Sequence, residues 1–502
     1  MYKKRDKQIN FDDFNQPFGL AIDPNNRWVL KAGLVPWNDI EKEYSNRFPS
    51  KDGQVAKTAR LALGALIIQK EYGFSDEETA AMIQENPYFQ YFCGMKCFTR
   101  EKPFDPSLMV HFRKRFTPEL IAAINEKIIG MSLRDKRSEE AGTAAGSPEP
   151  DNGRDGGSSV SPDDNTAGSA LHSRGSSPLL KGTLILDATC APSEIKYPTD
   201  TDLLNKARED TERMISAMHD PSSGHRPRTY AKTARKEYVN FSKKRKKKAK
   251  EVRRMIFKQL NYLKRNLGFI GLMSQSGGEL PSRLLNRLEI VRSLYAQQKQ
   301  MYDNKTHTVP DRIVSLSQPW VRPIVRGKMK TPVEFGAKIS VSVVNGFTRL
   351  GKSSFSAYNE SVELISEIER YRERTGYYPE RVLADKLYRN RDNLKYCRDK
   401  GIRLSGPALG RRPKDYEPDK KRDYEDLCDR NEVERVFSLA KRRYGLGMIH
   451  ARLQETAMSS IAISIMLLNL NKVLFYGFIL AQLFVKRYMI QFTRQHPASA
   501  IQ

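Results

Sequence analysis

Asp187, Asp385 and Glu434 are the residues of this chain whose types and placement most directly suggest chemistry. Asp187 closes the apolar run Thr183-Leu184-Ile185-Leu186, and Asp385 closes Arg381-Val382-Leu383-Ala384. Glu434 stands in the helical stretch Arg430-Asn431-Glu432-Val433-Glu434-Arg435-Val436-Phe437. A carboxylate at the end of a buried strand loses its hydration unless a metal ion or another cation replaces it. Carboxylates gathered from separate segments can seat two divalent ions about 4 Å apart, one activating a nucleophile and one stabilising a leaving oxygen, which is the chemistry of phosphodiester cleavage. Hard oxygen donors that leave positions open for water and substrate select magnesium or manganese.

The third acid has neighbours of its own. Arg430, Glu434 and Lys441 lie four and then seven residues apart, a spacing that sets them along one helical face. The three form either an internal ion-pair ladder or a site in which Glu434 takes metal while Arg430 and Lys441 hold phosphates. Glu432 competes for the same role but lies on another face and breaks the spacing.

The charge balance names the partner. Lys plus Arg total 86 against 59 Asp plus Glu, a net +27 over 502 residues. Such a surplus favours a polyanion, nucleic acid first, with a membrane surface or an acidic protein as the other takers of positive charge. Five cysteines, with only Cys93 and Cys97 close together, fit a reducing cytoplasm and no structural zinc. The N-terminal residues lack the apolar core of a signal peptide. The apolar stretches 461–470 and 473–485 are each shorter than the roughly 20 residues of a membrane span and are expected to be buried core helices.

The elements that must position these acids follow from periodicity and turn residues. Residues 1–135 read as an all-α domain, with helical spacing through Val55–Ile68, a cap-like Ser75-Asp76-Glu77-Glu78, and a basic amphipathic helix through Pro106–Phe116. Short helices ending in a basic one fit either a helix-turn-helix DNA reader, with Arg113, Lys114 and Arg115 as contacts, or a packing domain. Residues 136–180 are Gly, Ser, Pro and Asp with almost no large apolar side chain, the composition of a disordered linker.

From 181 the expected order is a strand ending in Asp187, a strand over Pro332–Val344, a strand over Ser354–Tyr358, a helix over Ser361–Arg374, and the strand ending at Asp385. A helix over Asn390–Lys400, a strand over Ile402–Leu404 and the helix bearing Glu434 complete it. That is the order of a ribonuclease H-like α/β fold, in which the first and fourth strands are neighbours, so Asp187 and Asp385 would meet. Between the first two strands, residues 203–315 form an insertion, expected to be a helical hairpin with one very basic arm. Lys232–Asn266 holds 15 Lys plus Arg and two acids, Glu237 and Glu251, and includes the run Lys243, Lys244, Arg245, Lys246, Lys247 and Lys248. At that density phosphate contact is the expected use.

These segments resemble the DDE transposases of bacterial insertion sequences, in the group that includes insertion sequence five and the related insertion sequence four superfamily. The resemblance rests on Leu186-Asp187-Ala188-Thr189, on Ala384 to Asn393, and on Arg430 to Phe437 with Lys441-Arg442-Arg443-Tyr444-Gly445-Leu446. Gln318 to Lys328, Val333 to Lys338 and Pro103 to Phe116 add to it. The family's signature is Tyr, two residues, Arg, three residues, Glu, six residues, Lys. Arg430, Glu434 and Lys441 meet its last three terms, whereas Leu427 stands at the Tyr position and Tyr424 lies one turn earlier.

The resemblance implies a bacterial, nucleoid-associated enzyme with a catalytic domain over 181–472 and a C-terminal apolar helix and tail over 473–502. It would act on double-stranded DNA, at terminal inverted repeats and target, as a homodimer with two Mg2+ or Mn2+ ions on Asp187, Asp385 and Glu434, and with neither a membrane nor a small-molecule substrate. The alternatives are a non-catalytic DNA-binding regulator or immobile relic of such an enzyme, and a structure-selective nuclease.

Overall fold

The computed structural model describes residues 22–48, 55–144, 180–325, 333–407, 409–410 and 419–495. Seven helices come first: α1 (Arg27–Leu34), α2 (Trp37–Ser45), α3 (Ala59–Tyr72), α4 (Asp76–Glu85), α5 (Pro87–Phe92), α6 (Leu108–Arg115) and α7 (Pro118–Ala144). After β1 (Thr183–Pro192) stand α8 (Asp200–Met218), α9 (Ala231–Ser242), α10 (Ala249–Gln275) and α11 (Ser282–Asp303). The sheet resumes with β2 (Arg322–Val325), β3 (Val333–Val344) and β4 (Phe347–Ser354), followed by α12 (Glu363–Thr375), β5 (Arg381–Leu383), α13 (Arg391–Lys400) and β6 (Arg403–Leu404). Two long helices end the chain, α14 (Lys420–Arg443) and α15 (Gln454–Gln495).

Local chemistry sets many of these boundaries. Gly73 ends α3 in the left-handed conformation, and two residues later Ser75 and Glu78 form a reciprocal capping box that starts α4. Asn390 caps α13, whose end is Gly401, again left-handed. Most of the expected linker lies outside the described residues, apart from its first part, which continues α7 to Ala144.

The protein is mixed α/β, and its sheet runs β2-β3-β1-β5-β6, with β4 also on β3. β1 pairs antiparallel with β3 and parallel with β5, so the first strand and the strand preceding Asp385 are neighbours. One strand differs from the sequence expectation: β4 covers Phe347–Ser354 rather than Ser354–Tyr358. The cause is the Asn345-Gly346 pair, both at positive φ, which folds β3 back on β4 through a two-residue hairpin turn. A second difference concerns Asp187, which lies inside β1 rather than at its end. Pairing with β3 continues to Pro192 opposite Gly336, whereas pairing with β5 stops at Ile185 opposite Leu383.

The core is layered on both faces of the sheet. Ile185, Val341, Val343 and Leu383 pack with Val433 and Ala440 of α14, with α15, and with the helices before β1 in one continuous cluster. Leu184, Leu186, Val382 and Ala384 face the other way, toward Leu364, Ile368 and Tyr371 of α12. The alternation is that of a strand buried on both sides.

A buried polar network joins the early helices to the sheet. Asn469 Nδ2 donates to Asn125 Oδ1 (2.7 Å) and the Thr348 carbonyl (2.7 Å), Asn469 Oδ1 accepts from the Thr348 N–H (2.9 Å), and Asn125 Nδ2 also donates to the Thr348 carbonyl (3.1 Å). Every hydrogen-bonding partner there is buried, the condition under which such a network specifies one packing arrangement.

The two C-terminal apolar stretches form a single helix, because Asn471 and Lys472 between them do not interrupt it. Asn471 Nδ2 donates to the Leu467 carbonyl one turn back, and Lys472 reaches the Gly346 carbonyl. Gln454–Gly477 is long and apolar enough to cross a membrane, yet 72% of its most apolar window is buried inside the protein, and residues 461–470 are buried throughout. The insertion holds four helices rather than a hairpin: α8 packs along α10 and α11 around Leu203, Leu204, Leu260, Leu263, Val291 and Leu294.

Candidate active site and basic insertion

The parallel register of β1 and β5 places the first two acids together. Thr183, Leu184 and Ile185 stand opposite Arg381, Val382 and Leu383. Two residues further along each chain, Asp187 faces Asp385, whose backbone is still extended, on the side of the sheet that α14 covers. β5 ends beside Ile185, and the next backbone partner of β1 on this side is Ile449, which donates to the Pro192 carbonyl, so the carboxylates stand in the gap between the two pairings.

Asp187 is the more enclosed of the pair. Its side chain is 18% exposed, its Oδ1 accepts from the Ala188 N–H (2.7 Å), and its Oδ2 lies 3.7 Å from Arg430 Nη2. Burial pushes its carboxyl above the ordinary range. The Ala188 bond and the Arg430 charge oppose that shift, while Glu360 and Asp385 add to it. Asp385 is half-buried, and its Oδ1 accepts from the Lys386 N–H (2.6 Å).

α14 brings the remaining candidates. Its first half is fastened to the sheet by Asp426, which accepts from Arg381 Nη1 (2.9 Å) and from both terminal nitrogens of Arg403, and by Asp429, which accepts from Arg381 Nη2 (2.6 Å). One turn after Asp426, Arg430 meets Asp187; one turn after that, Glu434 is exposed. Lys441 is half-buried in the last turn. Glu432 turns elsewhere, toward Lys472 Nζ at 3.5 Å.

Asp187 and Asp385 fit a hard divalent ion, since both are oxygen donors and the enclosed one lacks full compensation for its charge. Glu434 does not close on them: among the described residues no group of three or more His, Cys, Asp or Glu stands close enough to hold a metal. Arg430, expected from its spacing as either an ion-pair partner or a phosphate contact, lies against Asp187.

The basic candidates divide in two. Near the N-terminus, Arg113 is bound to Asp76 and to Gln69 Oε1 (2.8 Å), Lys114 pairs with Glu455 (2.8 Å), and the Arg115 guanidinium lies 4.6 Å from the Phe48 ring. These three cations are engaged within the fold. In contrast, Lys243, Lys244, Arg245, Lys246, Lys247 and Lys248 form the exposed link between α9 and α10, with Lys244 on Glu251 (2.9 Å). Sequence reasoning missed the Arg381–Asp426–Arg403 clamp. Nothing local signals it, because the two arginines open neighbouring strands that only the sheet brings together.

Residues 382–471 match the family model described as the transposase DDE domain, and residues 18–115 match the transposase domain DUF772. The first match contains Asp385 and Glu434 and begins after Asp187. The chain is also similar to a curated protein of Rhizobium meliloti, described as uncharacterized protein ORF8 in the nfe locus, with 34% identity over 108 residues. That alignment covers 22% of this chain and 52% of the relative, so the chain spans about half the length of the curated protein it matches. No solved structure matches. Both matched domains are transposase domains, one in the helices before β1 and one running from β5 into α15, and together they support a transposase function consistent with an insertion-sequence transposase.

Proposed function

We propose that the chain is a DDE transposase of the insertion sequence five and insertion sequence four type, built on a ribonuclease H-like core, that binds the inverted repeats of its element and cuts and joins DNA there. The observation that carries this reading is that Asp187 in β1 and Asp385, two residues past the end of the parallel β5, come to the same level of the sheet, with Arg430 of α14 reaching the first of them. The strand and helix order β1, β3, β4, α12, β5, α13, β6, α14 supports the core assignment.

In this reading Asp187 and Asp385, joined by Glu434 once α14 brings it close, would hold the divalent ions, which would supply charge stabilisation for an in-line displacement at phosphorus and a nucleophile active at neutral pH. Asp187 and Asp385 set the seat from the rigid sheet, and α14 delivers Glu434 from one side. Arg430, 3.7 Å from Asp187, would be free to hold a DNA phosphate if a metal ion took over that carboxylate. Lys243 to Lys248 and Lys441 hold the DNA backbone, and a homodimer brings two ends together. Glu432 is left out because Lys472 occupies it.

The test is nicking of a duplex carrying the terminal repeats, with and without magnesium or manganese. Asp187→Ala, Asp385→Ala and Glu434→Ala are expected to abolish cleavage while Glu432→Ala still cuts. Cleavage by all three of the first set at the parent rate would refute the site.

A further inference from the structure

The insertion carries a second cationic device at the opposite end of α9 from the lysine run. Tyr230, the residue before α9, has a left-handed backbone (φ 57°), a conformation that costs a bulky L-residue energy, and the residue is 44% exposed. Two guanidiniums lie against that ring: Arg228 Cζ at 4.8 Å and Arg265 Cζ at 4.6 Å. Arg265 comes from α10, where it also lies 5.2 Å from the Tyr262 ring and donates through Nη2 to the Thr229 carbonyl (2.8 Å); its Nε is buried with no partner. Neither arginine forms an ion pair among the described residues. Two uncompensated guanidiniums held by one exposed ring are a prepared anion grip, since their planar forks match phosphate oxygens.

We propose that Arg228, Tyr230 and Arg265 clamp a phosphodiester of duplex DNA, and that α9 is a bar along the DNA backbone with this clamp at one end and Lys243 to Lys248 at the other. The inner face of α9 is docked, with Ala234 and Phe241 buried and Tyr238 bonded to Asp202 of α8. Lys232, Arg235 and Lys236 are exposed between the two ends. Twelve residues of helix span about 18 Å, the rise of roughly five base pairs. The clamp rests on the reading of the chain as a DNA-processing protein but requires no cleavage.

The experiment measures binding of the full chain to a mixed-sequence 30-base-pair duplex by fluorescence anisotropy between about 50 and 200 mM salt, the range in which released counterions set the slope. Arg228→Ala is expected to weaken binding and reduce the salt slope by about 0.9, one phosphate contact. Tyr230→Ala changes no charge but removes the surface holding both guanidiniums, and is expected to weaken binding roughly five- to thirty-fold. Tyr230→Phe keeps the ring and should bind like the parent, as should Lys299→Ala, whose cation pairs with Asp303. Parental affinity and slope in both Arg228→Ala and Tyr230→Ala would overturn the clamp, and so would equal losses in Tyr230→Phe and Tyr230→Ala. Failure of the parent chain to bind the duplex would instead overturn the DNA reading itself.

Discussion

Replacing Asp426 by alanine tests whether α14 is held in place by the sheet. The Asp426 side chain is 7% exposed and accepts from Arg381 and Arg403, which are 27% and 34% exposed. Breaking a buried ion pair by removing one partner costs about 3–5 kcal/mol. Here the stranded guanidiniums regain water, being about a third exposed, so the cost falls below that range, to about 2–3 kcal/mol. Burial works against the ionised form of Asp426, but the Arg403 and Arg381 bonds outweigh it and hold the carboxyl below the ordinary range. A lowered carboxyl stabilises above its unfolded value near pH 4 and loses that contribution as pH falls through the folded value.

Urea denaturation at neutral pH and at pH 3 reads both effects: the variant should fall short of the parent at neutral pH and approach it in acid. Val433 and Ala440 still pack in the variant, so the helix stays but its register against Asp187 loosens. A displacement of about 1 Å in a reacting constellation costs about a hundredfold in rate, so single-turnover cleavage at saturating metal should drop on that order. Unchanged unfolding at neutral pH, with cleavage within about threefold of the parent, would refute the clamp.

Two further outcomes follow from packing. Burial, with Arg113 nearby, pulls the Lys70 ammonium down to about 7 from an ordinary value of 10.5. The folded state therefore binds fewer protons than the unfolded one between pH 7 and 10.5, so stability from this group rises with pH across that window and is lowest below 7. Lys70→Met should stabilise the protein most below pH 7, with the gain fading toward pH 10 in thermal melts followed by circular dichroism. Gly336→Ala places a Cβ 2.1 Å from the Ala191 carbonyl oxygen and 2.8 Å from Pro192 Cα, both on a neighbouring strand's backbone that cannot swing aside. Parting β3 from β1 should cost at least the 1–3 kcal/mol of ordinary overpacking, and a melting temperature equal to the parent's would contradict the register.

Much of this architecture is legible in the residues. The helix over 391–400, its Asn390 cap and its Gly401 stop follow from local chemistry, as does the strand over 333–344. The next strand runs over Phe347–Ser354 rather than Ser354–Tyr358, because the Asn345-Gly346 pair, a strong short-range hairpin signal, turns the chain there. The spacing of Arg430, Glu434 and Lys441 is legible in the sequence, whereas Lys472 lies 40 residues from Glu432 and meets it only through the fold. Arg113, Lys114 and Arg115 are legible as the basic end of a helix, but their partners Asp76, Glu455 and Phe48 are disclosed by no periodicity.

By itself the sequence determined the charge and most element types, because helix and strand periods, caps and turns are properties of neighbouring residues. Only the tertiary structure decided that Asp187 and Asp385 face each other, that Arg430 rather than solvent meets Asp187, and that Arg381 and Arg403 converge on Asp426. Those pairings join residues up to about 240 positions apart. Their geometry is set by strand register and by the packing of α14 across the sheet, which arise when apolar faces from the whole chain are buried together.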